Sequence, residues 1–373
     1  MRGRWIRGLA LLVLICGWYG WSLISVPASR TDGEARTAVA ARMMAGSRHD
    51  DDRRWLPVYP HAGGAWLPPL LVYAAAAAVH LLPAAEWTMR LPSLLIGLID
   101  IVLIYFVALT LLRREGPALF ASALLALTPS HLLFSGLAVD AVYPLPFILA
   151  WLLCLAMFLA GGRPWLLFAA TACLGLGVYS QLAAVLMMPV YLGLTAVTIA
   201  VGDRARVRVY AMAALGFLWP LFPLAAWLAV HPGAYLDTVG VYGVHPAHVR
   251  NPIDGLHAVF RWHTLGVRSG VYWNYLDPVF LFGRDGVFLP PVGVLLPVGL
   301  WRTLEPPRSE MDWVLLLGFA TAPIAASLVE ARAVERALLL LPFAILIATI
   351  GACALWRAGE AIGAARFRRH RPR

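Results

Sequence analysis

The sequence predicts an all-α, polytopic membrane protein with about ten transmembrane helices and one further helix beside the membrane. Hydrophobic residues make up 61% of the 373 residues, charged residues only 13%, and the mean hydropathy is +0.74. So few charges cannot cover the surface of a soluble fold of this length. Several apolar runs of bilayer-spanning length and the arginines in alternate loops support the same class.

The candidate spans are apolar runs of roughly twenty residues. They are residues 5–26, 90–112, 116–134, 141–160, 164–181, 183–202, 209–230, 287–304, 313–329 and 337–356. The first run is long and lacks a small-residue cleavage motif. We therefore expect it to be a retained anchor and not a cleaved signal.

Residues 67–83 decide the topology. This run is short and rich in alanine, and two prolines follow Leu67 at its start. Counting it as a span would place Arg113 and Arg114 outside and invert every later segment. We therefore expect a short helix that lies along the outer interface or dips into it.

The distribution of charge predicts the sidedness. With the N-terminus in the cytoplasm, the inner segments hold 17 arginines and six acidic residues, whereas the outer segments hold 13 of each. This positive-inside pattern places both termini in the cytoplasm and the long loops 27–89 and 231–286 outside. The net charge of +10 therefore reflects membrane topology, and no nucleic-acid partner is expected. We expect a single membrane domain over residues 1–373.

The chain contains no lysine and much alanine, which is typical of a GC-rich bacterial genome. We therefore expect the protein to lie in a bacterial inner membrane. Its functional face would then be periplasmic or extracellular, where the two long loops lie.

Three acidic residues converge on the outer face. Asp32 and Glu34 follow the first span, and Asp140 follows the third. Carboxylates that face a phosphate-bearing substrate can remove a proton from an acceptor hydroxyl, or bind a cation that orients the substrate. The alternatives are that Asp32 caps the helix that starts near Glu34, and that Asp140 is an ordinary loop residue. A divalent cation stays an option, although no complete set of metal ligands is evident.

Two arginines lie in the outer segment VEARAVER before the last span. Arg332 and Arg336 are not needed for the topology, and a guanidinium binds phosphate oxygens in a bidentate manner. They are candidate phosphate ligands. The alternative is that they pair with Glu330 or Glu335.

Two other acidic features also have two readings. Asp100 lies ten residues beyond Arg90, about 15 Å along a helix that enters the bilayer. It is either a functional group or a hydrogen-bonded contact inside the bundle. The run 50–52, three aspartates beside two arginines, either binds a divalent cation or pairs internally.

Four stretches resemble the protein O-mannosyltransferase and aminoarabinose transferase type of the GT-C membrane glycosyltransferases. The first loop, TDGEARTAVAARMMAG, is similar to the acidic motif of that family, and PPLLVY is similar to the start of its juxtamembrane helix. EWTMRLPSLLIG with ALFASALLALTPSHLLFSGLAVD resembles its most recurrent stretch, which ends in an aspartate. YWNYLDPVFLFG and VERALLLLPFAIL resemble a later loop and the final arginine-bearing helix.

The resemblance implies a polyprenyl-phosphate sugar donor, inversion at the sugar and a site at the outer face. By position, Glu34 corresponds to the second acid of the motif, Arg36 to the basic residue beyond it, and Asp140 to the aspartate of the second loop. The chain departs from the motif where Gly33 replaces the first acid and Asp32 is displaced by one residue. A basic residue that often precedes the proline pair is also missing.

The sequence thus predicts an inverting transferase that moves a sugar from a polyprenyl phosphate to a lipid, glycan or protein. Asp32 or Glu34 would be the base, Asp140 would position the donor or a cation, and the departing phosphate would be held by Arg36, Arg332 or Arg336. The alternatives are a flippase or transporter of lipid-linked sugars, and another polyprenyl-linked polymerase or ligase of surface glycans.

Overall fold

The computed structural model describes residues 14–15, 17–21, 32–83, 85–202, 204, 206–231, 262–284, 286–328 and 333–369. Residues 14–15 and 17–21 are helical, and a hairpin of β1 (His61–Ala62) and β2 (Ala65–Trp66) follows the first loop helix. Helices account for most of the remainder. They are α1 (Asp32–Gly46), α2 (Pro69–Leu81), α3 (Glu86–Leu112), α4 (Glu115–Ala126), α5 (Pro129–Ser135), α6 (Leu145–Gly161), α7 (Pro164–Gly177), α8 (Leu182–Val201), α9 (Val207–Leu218), α10 (Phe222–Val230), α11 (Trp262–Tyr275), α12 (Pro278–Phe282), α13 (Val292–Leu304), α14 (Glu310–Thr321), α15 (Pro323–Ser327) and α16 (Leu341–Arg369).

The predicted all-α membrane class is confirmed. Within the described residues, five helices are long and apolar enough to cross a membrane, or six if the bent pair α4–α5 forms one span. Every predicted span after the first coincides with a helix or with consecutive helices. Some of these are shorter than predicted. α7 has 14 residues and α13 has 13, and a break at Ala322 separates α14 from α15.

The run 67–83, on which the predicted topology depends, forms the short helix α2. Its 13 residues extend about 20 Å, less than the roughly 30 Å of a hydrocarbon core. Pro68 and Pro69 fix its start, because proline is favoured before and at the first turn of a helix. α2 packs between α1 and α3, and the Leu81 side chain at its far end is exposed. This geometry agrees with a helix that does not span the bilayer.

The first loop has its own small core. Alanines, Met44 and Val72 of α1 and α2 pack with Met89 of α3 and with Ala138. This core is separate from the leucine-rich and aromatic core of the bundle. We call α1, the hairpin, α2 and the first turns of α3 the loop layer. Because Ala138 lies two residues before Asp140, the loop layer contacts the segment that carries the third predicted acid.

The opposite end of the bundle joins segments that were predicted to be cytoplasmic. Arg204 donates through Nη2 to the carbonyl of Leu159 at 3.0 Å and forms an ion pair with Glu310. The predicted outer segments meet around Glu34 and Ala138 instead. The fold therefore groups the segments as the predicted topology requires. The compartment that each end faces stays a prediction.

Candidate active site

A buried ion pair joins the first loop to the bundle. Arg90 Nε donates to Glu34 Oε1 at 3.0 Å, and Arg90 Nη2 donates to Glu34 Oε2 at 3.3 Å. The backbone N–H of Ala138 also donates to Glu34 Oε1 at 3.0 Å. Glu34 is 3% exposed and Arg90 is 4% exposed. One carboxylate thus fixes α1, the start of α3 and the segment before Asp140 against each other.

The local sequence explains why Glu34 is buried. Glu34, Thr37, Ala38 and Ala41 are all buried and follow the i, i+3, i+4, i+7 spacing of one helix face. Apart from Glu34 these side chains are small, so α1 lies close to α2 and α3. A carboxylate in such a place needs a charged partner and hydrogen bonds, and Arg90 and Ala138 provide them.

Asp140 begins the 3₁₀ segment Asp140–Val142 and is half-buried. This segment contacts α3, α5 and another 3₁₀ segment, Val334–Leu340. The Asp140 carboxylate lies within electrostatic range of Glu335. Asp140, Glu335 and Arg336 therefore belong to neighbouring segments at the end of the bundle where Glu34 lies.

The segment that carries Arg336 is held by the later loop. The hydroxyl of Tyr275, which is fully buried at the end of α11, accepts a hydrogen bond from Ala333 N at 3.2 Å. Arg336 N donates to the carbonyl of Ala333 at 3.2 Å, and the Arg336 side chain is half-buried. The motif YWNYLDPVFLFG thus orients the arginine-bearing segment, while Asp277 caps α12 by accepting from Val279 N at 3.0 Å.

Arg36 lies on another side of α1. Two residues in a helix are separated by about 200°, so Arg36 does not share the buried face of Glu34. Arg36 is exposed and lies beside the hairpin, where a Cβ added to Gly63 would be 3.8 Å from Arg36 Cγ. Gly63 has a φ of +58° and donates to Asp51 Oδ2 at 2.7 Å. The hairpin turn therefore borders the Arg36 side chain.

The aspartates at 50–52 pair within their own loop. Asp50 is buried, and its Oδ1 accepts from the backbone N–H groups of Asp52 at 3.1 Å and Arg54 at 2.8 Å. Its Oδ2 accepts from His61 N at 3.3 Å. Asp52 forms an ion pair with Arg54 at 3.1 Å. Of the two readings of this run, internal pairing is the one that the structure supports.

Tyr73 of α2 is a partly buried phenol in the loop layer. Burial, followed by the charge of Asp50, raises the pKa of Tyr73 to about 12. Its hydroxyl donates to the carbonyl of Pro57 at 2.5 Å. Because Tyr73 stays protonated and its hydroxyl donates to Pro57, it does not act as a base near neutral pH.

Asp100 is a hydrogen-bonded contact inside the bundle. Its Oδ2 lies 3.3 Å from Nε2 of His131, and Nδ1 of His131 lies 2.7 Å from the hydroxyl of Tyr19. All three side chains are fully buried. Asp100 could be singled out in the sequence but His131 could not, because a single histidine in an apolar run carries no spacing signal.

Some predicted residues lie outside the described part of the chain. Arg332 is one of them, and Asp32 is described only as the first residue of α1, without its side chain. Arg90 is the functional candidate that the sequence reading missed. The only signal for it was an arginine in the first turns of a long apolar helix, which was used to mark the membrane boundary. Among the residues described, no group of three His, Cys, Asp or Glu side chains could hold a metal.

Comparison with known proteins agrees with this architecture. Residues 67–227 match the family model described as dolichyl-phosphate-mannose-protein mannosyltransferase. The chain superposes on ArnT from Cupriavidus metallidurans bound to undecaprenyl phosphate with a TM-score of 0.62, at 17% identity over 96% of this chain and 63% of that chain. The fold is of the GT-C type.

A second GT-C structure is similar at the same level. The archaeal oligosaccharyltransferase AglB from Archaeoglobus fulgidus, solved with an inhibitory peptide and a dolichol-phosphate, gives a TM-score of 0.56 at 15% identity. That superposition covers 98% of this chain and 52% of AglB. The chain thus spans between half and two thirds of the length of these GT-C relatives. Comparison with curated protein sequences gives no match.

The family match and the site overlap in part. Arg90, Ala138 and Asp140 lie within the matched residues 67–227, whereas Glu34 and Arg336 lie outside them. The resemblance to GT-C glycosyltransferases that the sequence motifs predicted is confirmed.

Proposed function

We propose that the protein transfers a sugar from a polyprenyl-phosphate donor to an acceptor hydroxyl at the outer face of the membrane, with inversion. The observation that carries this proposal is the Glu34–Arg90–Ala138 contact. It joins the acidic first-loop helix to the segment of Asp140 on a GT-C fold. The relatives solved with undecaprenyl phosphate and dolichol-phosphate support a lipid-phosphate donor.

The contacts of Glu34 favour Asp32 as the base. A general base needs a carboxylate oxygen that is open to the acceptor hydroxyl. Glu34 Oε1 already accepts two hydrogen bonds, and its Oε2 accepts one from Arg90. Asp32 lies two residues earlier, at the start of α1, where the helix dipole favours a carboxylate. We therefore assign the base to Asp32 and the anchoring of the site to Glu34.

The transfer exchanges one C–O bond at the anomeric carbon for another and moves one proton. The acceptor oxygen attacks the anomeric carbon from the face opposite the phosphate and loses its proton to Asp32. The bond between the anomeric carbon and the phosphate oxygen breaks, and the polyprenyl phosphate leaves with the electron pair. Because phosphate is a good leaving group, positioning and electrostatics are the main contributions of the protein.

The positive charge for the departing phosphate comes from three arginines in this proposal. Arg36 is exposed beside the hairpin, and Arg336 lies on the segment next to Asp140. Arg332 precedes Arg336 by four residues. Asp140 would orient the donor. If a divalent cation takes part, which the sequence left open, the Asp140 carboxylate would help to hold it, and the ion would supply positive charge for the phosphate.

The first test measures release of undecaprenyl phosphate by the purified protein in detergent. Lipid-linked sugars extracted from membranes of cells that lack the protein serve as donors, and those membranes supply the acceptor. We expect Asp32→Asn to lower release by roughly a hundredfold, which is typical of the loss of a general base. Asp140→Asn should cause a loss on the order of a hundredfold as well, because the donor is then no longer held in the orientation for attack. Mass spectrometry of the lipid phase measures the effect. Release above half of the wild-type rate in both variants would exclude these roles.

The displaced acid provides a matched control. Adding Gly33→Asp to the Asp32→Asn protein restores a carboxylate at the position of the family motif. Recovery of undecaprenyl phosphate release would show that a carboxylate at position 32 or at position 33 can act as the base. If Glu34→Gln lowers release more than Asp32→Asn does, Glu34 carries the chemistry and our assignment is wrong.

The second candidate function is a flippase or transporter of lipid-linked sugars. Asp100 and His131 are its best support, because buried polar groups in spans often mark a pathway. The acidic and basic candidates otherwise lie at one end of the bundle, which favours a transferase. A transporter would move the lipid-linked donor across liposomes and release no undecaprenyl phosphate in detergent.

A further inference from the structure

The helix that leads to Asp140 is bent. α4 and α5 lie at 62° to each other across Leu127 and Thr128. The Thr128 hydroxyl donates to the carbonyl of Leu124 at 2.7 Å, so the break itself is satisfied by hydrogen bonds. A break of this kind does not set a direction, because the backbone after it can turn several ways. Other contacts must therefore fix the orientation of the seven-residue helix α5.

His131 provides contacts on both sides of α5. A neutral imidazole carries one N–H, so His131 donates to one neighbour and accepts from the other. These neighbours are Asp100 of α3 at 3.3 Å and the Tyr19 hydroxyl at 2.7 Å. The Tyr19 hydroxyl also lies 3.3 Å from the carbonyl of Ala126, at the end of α4. The three side chains thus join four segments around the bend.

Close packing also fixes the distance between α3 and α5. A Cβ added to Gly97 of α3 would collide with the hydroxyl of Ser135 in α5. On its other side, α5 is tied to a later segment, because Ser130 Oγ donates to the carbonyl of Val287 at 2.7 Å. α5 is therefore packed closely against α3 and tied to a second segment on its other side.

α3 carries the anchors of both networks. Arg90 binds Glu34 near the start of the helix, and Asp100 binds His131 ten residues later, about 15 Å along the axis. Three residues after α5 ends, Ala138 N meets Glu34 Oε1. A rotation of α5 would therefore move Ala138 and Asp140 relative to Glu34.

We infer that His131, held by Asp100 and Tyr19, is a positioning residue that sets α5 so that Ala138 and Asp140 meet the Glu34–Arg90 pair. The inference rests on the proposed function for its effect on turnover, but its geometry does not. It assigns a role to a buried polar group whose partner Asp100 lies about 15 Å along α3 from Arg90.

The test compares His131→Phe with His131→Gln and Thr195→Val in the full-length protein. Phenylalanine provides an aromatic ring in place of the imidazole but can form neither hydrogen bond. Glutamine again provides a polar group that can reach Asp100. Thr195→Val is the matched control, because it removes a fully buried hydrogen bond from Trp151 Nε1, at 2.9 Å, elsewhere in the bundle. The measurements are amide hydrogen exchange of residues 136–144, release of undecaprenyl phosphate, and binding of undecaprenyl phosphate by native mass spectrometry.

We expect His131→Phe to remove the exchange protection of residues 136–144 and to lower turnover on the order of a hundredfold, as small misplacements of catalytic groups do. Binding of undecaprenyl phosphate should change little. His131→Gln should recover part of both losses, and Thr195→Val should cause neither. If His131→Phe does not fold, Tyr19→Phe provides the same comparison with one hydroxyl removed.

Equal exchange protection of residues 136–144 in His131→Phe, Thr195→Val and the wild-type protein would overturn the inference. The two proposals can fail separately. Loss of protection in His131→Phe, together with no release by the wild-type protein, would remove the proposed function and support the positioning role.

Discussion

Two Arg–Glu pairs lie at opposite ends of the bundle and differ in burial. The side chains of Arg90 and Glu34 are 5% and 4% exposed, whereas those of Arg204 and Glu310 are 33% and 26% exposed. Both pairs join residues that are far apart in sequence. Each pair also contacts the backbone of a third segment: Glu34 accepts from Ala138 N, and Arg204 donates to the carbonyl of Leu159. Burial is therefore the difference between them.

The difference in burial determines what each pair does. A buried charge that loses its partner destabilises a protein by several kcal/mol, whereas a partly exposed pair contributes about 1 kcal/mol or less. The Glu34–Arg90 pair therefore sets the geometry of the candidate site. The Arg204–Glu310 pair joins the connection between α8 and α9 to the first residue of α14, and both side chains are only partly buried.

The largest effect is expected when the buried pair is broken. Arg90→Met leaves the Glu34 carboxylate buried beside Ala138 N, and we expect a loss of about 3–5 kcal/mol of stability together with loss of sugar transfer. Thermal unfolding in detergent and release of undecaprenyl phosphate measure the two effects.

The double variant Arg90→Met/Glu34→Gln sharpens the comparison. A glutamine oxygen can still accept from Ala138 N, so most of the stability and part of the transfer should return. Recovered stability without any sugar transfer would indicate that Glu34, and not Asp32, is the general base. A single variant Arg90→Met as stable as the wild type would show that the pair does not anchor the loop layer.

The same changes at the other end should have much smaller effects. We expect Arg204→Met and Glu310→Gln each to lower stability by about 1 kcal/mol or less and to leave sugar transfer unchanged. The measurements are those used for Arg90. A loss of transfer at this end would mean that the two ends are coupled through the bundle, contrary to the comparison.

The smallest effect on stability and sugar transfer is expected from single cysteines at exposed positions away from both pairs. Their labelling tells which side of the membrane each end of the bundle faces. Arg48 and Arg206 are exposed, and the predicted topology places them on opposite sides of the membrane. In a background without the four native cysteines, an impermeant maleimide should label Arg48→Cys in intact cells. Arg206→Cys should react only after permeabilisation. Labelling of R206C from outside would invert the topology, and the cysteine-free parent is the control.

The sequence alone determined the class of the protein and most of its helices. Hydropathy and the length of apolar runs are local properties, so spans such as 90–112 and 183–202 could be predicted from composition and checked against α3 and α8. The proline pair and the alanine-rich run likewise predicted a helix too short to cross the bilayer, as α2 is. Charge counting placed Glu34 and Asp140 at the same end, where the fold brings their segments together.

Only the tertiary structure decided which of these residues touch. Glu34 meets Arg90 and Ala138 across 56 and 104 positions of sequence, and His131 meets Asp100 across 31. No helical or strand period spans such distances, so an acidic motif could not reveal that one of its acids is already bound. Burial supplies the physical reason, because a charge inside the fold requires partners that only the packed arrangement of several helices can bring to it.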